Sequence, residues 1–125
     1  MRIIAIIAIA SLLASFTDWL FMDVLIHSLY AKAPQVWRPR GGAGRIMVSQ
    51  LVGTAASAAV VGLCLAGGAP PLVVAAGVWA AGPLPVILQN IQWMKLHPAV
   101  GASHAMGWLA RFVIAAVLVM LVPGK

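Results

Sequence analysis

Four stretches of about 20 mostly apolar residues constrain this chain more than any other feature, because a helix needs that length to cross a bilayer core. They lie at about 2–30, 46–66, 72–93 and 100–122. Lys32, Pro34, Pro39 and the pair Gly41 and Gly42 close the first. Gly67, Gly68, Pro70 and Pro71 separate the second from the third, and Lys95, His97 and Pro98 precede the fourth. The expected fold is all-α: one domain over residues 1–125, an integral membrane bundle of four transmembrane helices. Composition agrees, with 63% hydrophobic residues, 8% charged residues and a mean hydropathy of +1.05. A soluble domain would carry about one quarter charged residues. The start of the first stretch has the pattern of a signal peptide, with Arg2, then Ile3 to Leu13, then Ala14 and Ser15. Its apolar character continues to Tyr30, too far for a signal core, so it reads as a long, tilted span.

The charges that remain are unevenly placed. Eight Lys and Arg stand against two acids, a formal net charge of +6. A nucleic-acid binder would spread its cations over a water-exposed face. Here Lys32, Arg38, Arg40 and Arg45 crowd one loop and Lys95 lies in the other loop on the same side. No nucleic-acid partner is therefore expected, and loop 31–45, with Trp37, reads as a contact with anionic headgroups. The opposite side has only Arg2, Lys125 and an uncharged turn, so the positive-inside rule places both termini outside the cytoplasm. The single cysteine, Cys64, excludes an intrachain disulfide and a thiolate zinc site.

With that topology, the polar residues inside the spans collect in one half of the bilayer. Asp18, Asp23, His27 and Tyr30 lie late in the first span; Ser49, Gln50, Thr54 and Ser57 early in the second. Gln89, Asn90 and Gln92 end the third, while Ser103, His104, Trp108 and Arg111 open the fourth. The far half is Ala, Val, Leu and Ile, which predicts a polar cavity open toward the cytoplasm and closed at its far end. At about 100° per residue, Phe16, Trp19, Asp23, His27 and Tyr30 share one face of the first helix, whereas Asp18 points about 140° away from Asp23. Asp18 must therefore meet a different neighbour, or the helix must be distorted. On the second helix the polar residues share one face, and Ala55, Ala58, Ala59, Gly62 and Ala66 form a small-residue face suited to helix contact. Ala58, Gly62 and Ala66 are the expected contact for a homo-oligomer.

Intramembrane charge costs roughly 2.5–3.5 kcal/mol per residue at the bilayer centre even on the mild insertion scale. Counting depth along antiparallel first and fourth helices puts Asp18 level with Arg111, and Asp23 level with His104. An Asp18–Arg111 ion pair follows, with a shallower contact of Asp23 to His104 or His27; Asp23 taking Arg111 is the alternative. Two carboxylates and one guanidinium leave a charge of −1, to be balanced by a proton, a cationic His or a bound cation. Gly82-Pro83-Leu84-Pro85 predicts a kink or break in the third helix, freeing the carbonyls of Trp79 and Ala81.

Asp23, His27 and His104 are the candidate acid–base, and hence catalytic, residues. Asp18, Trp19, Tyr30, Gln50, Gln89, Asn90, Trp108 and Arg111 are the candidate ligand-binding residues, Arg111 for an anionic group. No metal site or cofactor is expected; a haem held by His27 and His104 is the lesser alternative.

The stretch from Phe21 through Asp23 to His27, followed by Tyr30, Pro34, Trp37, Arg38 and Pro39, resembles segments of small four-span bacterial membrane proteins grouped as a domain of unknown function. The resemblance covers about a quarter of the chain. It implies a helical bundle in a bacterial inner membrane and no particular activity. The functional expectation is a pocket that binds, with or without transforming, a small amphipathic molecule. A proton-coupled transporter acting as a homodimer and a non-catalytic subunit of a larger membrane complex are the alternatives.

Overall fold

The computed structural model describes residues 1–28 and 42–122. Tyr30, Lys32, Trp37, Arg38 and Arg40 lie outside the described residues. The described residues are 88% helical, without strands, and four of the helical segments are long and apolar enough to cross a membrane. The first is α1 (Arg2–Trp19) continued by a π-helical turn (Leu20–Leu25). The second is α2 (Ala43–Ala66). The third is divided into α3 (Pro71–Ala81) and α4 (Pro83–Trp93), and the fourth is α5 (Pro98–Leu121).

Local chemistry sets these boundaries. Pro71, Pro83 and Pro98 each open a helix, where a missing N–H costs nothing. His97 caps α5 by accepting the Ala99 N–H on Nδ1 at 3.2 Å. Gly67 and Gly68 turn the chain between α2 and α3 with φ of +89° and +106°, a region that favours glycine. The third span breaks at Gly82 (φ −109°, ψ −90°), immediately before the two prolines, as their missing donors require.

α5 is the most enclosed of the spans and packs against α1, α2, α3 and α4. Small residues allow this. A Cβ on Gly101 would stand 2.6 Å from Ile91 Cδ1, so α4 lies directly against the α5 backbone there. The Trp79 indole N–H of α3 donates to the Ala105 carbonyl of α5 at 2.8 Å, tying the third span to the fourth. On α2 the polar face turns inward from Gly53 onward, where Gly53, Ser57 and Cys64 are buried with Val60 and Val61, while Ser49 and Gln50 near its start are exposed. The opposite face turns outward, with Ala55, Ala59, Gly62 and Ala66 exposed and Ala58 half-buried.

The two ends of the bundle differ. Ile6, Ala10, Val60, Val61, Cys64, Ala75, Phe112, Ala115 and Ala116 form one apolar core. They come from the beginning of α1, the end of α2, the beginning of α3 and the end of α5, which meet in one half of the molecule. The other half holds the intramembrane charges.

Candidate functional site

Asp18 and Arg111 form an ion pair between α1 and α5, Nη2 to Oδ2. Arg111 is thirteen residues into α5, roughly 20 Å along its axis and just past its midpoint. The pair joins the two helices at the depth expected, and Arg111 takes Asp18, not Asp23. Its two members are unequally enclosed: the Arg111 side chain is 4% exposed and that of Asp18 is 39% exposed.

Two glycines make room for these groups. A Cβ on Gly53 of α2 would stand 2.5 Å from Arg111 Nη1, 2.7 Å from Cζ and 2.8 Å from Nη2, so the guanidinium lies on bare α2 backbone. A Cβ on Gly107 of α5 would come within 3.3 Å of Asp18 Oδ1. Gly107 is four residues before Arg111 and so shares its helical face. Trp108, three residues before Arg111, places its ring centroid 5.7 Å from Cζ, a cation–π distance. Arg111 Nη1 is buried with no hydrogen-bond partner among the described residues.

The first helix is distorted, one of the two ways out of the Asp18 misfit. The π turn starts directly after Trp19. An i→i+5 turn inserts a residue and shifts the phase of everything beyond it. Its Phe21 carbonyl accepts a hydrogen bond from Ser103 Oγ of α5 at 3.3 Å. The turn therefore docks on the same stretch of α5 that carries His104 and Gly107.

These elements enclose a cavity of about 370 Å³. Asp18, Phe21 and Met22 line it from the first span and Ser49 and Val52 from α2. Ser103, His104, Gly107, Trp108 and Arg111 complete it from α5. Ser49 lies six residues into α2 and Ser103 five residues into α5, each about 8–9 Å from its helix start. The cavity extends from there to the ion pair, beyond which Phe112, Ala115 and Ala116 of α5 belong to the apolar core.

Of the candidate residues, Asp18, His104, Trp108 and Arg111 come together around this space. The others stand elsewhere. Trp19 is exposed and its ring meets Phe16 at 5.7 Å between centroids. Gln50 accepts the Ser15 hydroxyl on Oε1 at 2.6 Å, a bond between α1 and α2. Asp23 is half-buried within the π turn and His27 is exposed just after it. Gln89 is exposed and Asn90, half-buried, accepts the Met94 N–H on its backbone carbonyl. No residue of the third span is among those lining the cavity. Phe21, Met22, Val52 and Gly107 lie outside the sequence-derived set. Gly107 had a signal, one turn before Arg111; the apolar residues had none that separates them from lipid-facing ones. Among the described residues, no group of three or more His, Cys, Asp or Glu is placed to hold a metal ion. Comparison with family models, curated proteins and solved structures finds no match to this chain.

Proposed function

We propose that this four-helix membrane protein binds a small amphipathic molecule in the cavity floored by Asp18 and Arg111. The observation that carries this reading is a charged pair deep in an apolar bundle with one member open to a cavity. A pair that serves packing alone gains little over apolar side chains, whereas an intramembrane charge beside an accessible space is suited to holding a ligand. Ser49, Ser103 and His104 offer hydrogen bonds around the polar end, and Phe21, Met22, Val52 and Trp108 offer apolar contact. The basic loops favour a cytoplasmic opening, both termini on the other side, and a bacterial inner membrane as the setting. Acid–base work by His104 beside Asp18 is the chemistry the site would support if the ligand is transformed.

Val52 lies at the edge of the cavity and is 55% exposed, so a larger side chain there fills space without overpacking the core. Native mass spectrometry of the protein purified in a mild detergent should reveal a bound small molecule. Val52→Trp should lose it while keeping its helical circular dichroism. Identical spectra for both proteins, with or without an adduct, would contradict the reading.

A further inference from the structure

We infer that the cavity selects a cation, an alkylammonium-type amphiphile whose charged end is held by the exposed edge of Asp18. This rests on the binding reading above and adds the sign of the head group. The two charges of the pair are not equally available. The Arg111 side chain is 4% exposed, its Nη2 is committed to Asp18, and its Nη1 is pressed against Gly53. An anion entering the cavity would find Nη2 paired and Nη1 buried against Gly53. The charge it would meet is the Asp18 carboxylate, 39% exposed. Arg111 is thus a positioning residue that fixes the carboxylate, and the carboxylate is what a ligand meets.

The remaining wall suits an ammonium group. Three N–H donors need three acceptors. Asp18 supplies one, and the Ser49 and Ser103 hydroxyls line the same cavity. Ser103 Oγ spends its proton on the Phe21 carbonyl, which leaves its lone pairs as acceptors. Phe21 and Trp108 also line the cavity, and the faces of aromatic rings attract cations. Met22 and Val52 then cover the alkyl chain. The low-dielectric walls of the bundle strengthen the ammonium–carboxylate attraction beyond its value at a protein surface.

Octylammonium, octanol and octanoate share one chain and differ in head-group charge, so their binding to the full chain in phosphatidylcholine nanodiscs isolates the sign. Empty nanodiscs correct for partitioning into lipid. At neutral pH octylammonium should bind about tenfold tighter than octanol, with octanoate weakest. Asp18→Asn combined with Arg111→Leu removes both charges together and so spares the fold the burden of an unpaired guanidinium. This double variant should bind octylammonium and octanol equally. Octanoate binding tightest, or equal binding of all three to the native protein, would overturn the cation assignment and leave the binding reading in place. No binding of any probe above empty nanodiscs would overturn both.

Discussion

Asp18→Asn is expected to destabilise the bundle by about 3–5 kcal/mol, and Arg111→Leu by only about 1 kcal/mol. The pair is symmetric in contact and asymmetric in consequence. Removing the carboxylate strands a guanidinium that is 4% exposed and keeps its proton under any ordinary condition. Removing the guanidinium leaves a carboxyl group that is 39% exposed and lines the cavity, so it is not stranded in the apolar interior. Leucine at 111 also restores apolar contact beside Trp108, Phe112 and Ala115 on the same helix. The double variant Asp18→Asn/Arg111→Leu should return to within about 1 kcal/mol of the native protein, because neither half of the pair is left alone. Unfolding in mixed micelles with increasing dodecyl sulfate, followed by circular dichroism, measures all four proteins. Equal costs for the two single variants would mean that Asp18 is sealed from the cavity.

Gly53→Ala carries the second large effect. Alanine normally gains about 1 kcal/mol over glycine inside a helix. At 53 its methyl group would stand 2.5–2.8 Å from three guanidinium atoms of Arg111. The guanidinium cannot retreat freely, because Asp18 holds it from the other side. A net loss of about 1–3 kcal/mol is expected, in spite of the better helix propensity. Gly62 lies on the same helix with nothing within 4 Å of a Cβ, so Gly62→Ala should be neutral or stabilising in the same assay. In an Arg111→Leu background the cost of Gly53→Ala should fall by about 1 kcal/mol or more, since the group it collides with is gone. Additive costs would show that Gly53 serves α2 itself rather than the arginine.

Much of this arrangement was legible in the sequence. Length and hydropathy placed four spans, and residue counts along antiparallel helices put Asp18 level with Arg111. The separation of polar and apolar halves was equally readable, because it depends on position along each helix and not on which way a side chain turns. Facing was harder. The arc drawn through Phe16, Trp19, Asp23 and His27 assumed one helical phase from end to end. The π turn at Leu20–Leu25 shifts that phase, so residues before and after it no longer share the face a straight helix would give them. Phe16 and Trp19, both before the turn, pair with each other on an exposed surface. Gln50 was polar for a local reason, a hydrogen bond to Ser15, which pattern alone does not separate from a binding role. The glycine cradle is legible only in retrospect. A glycine on a polar helix face reads as a permissive position until the structure supplies the guanidinium that lies on it.

A polar cavity opens at one end of the membrane bundle and stops at the Asp18–Arg111 pair. Single cysteines at Ser49 and Val52, introduced with Cys64→Ala, can be treated with a membrane-impermeant thiosulfonate in sealed vesicles of either orientation. Both positions line the cavity, and Cys64 belongs to the buried apolar core beyond it. Labelling of both cysteines is expected from the membrane face that carries residues 94–97, and none from the opposite face. Labelling of either cysteine from the opposite face, or protection of both from either side, would contradict a cavity open at that one end.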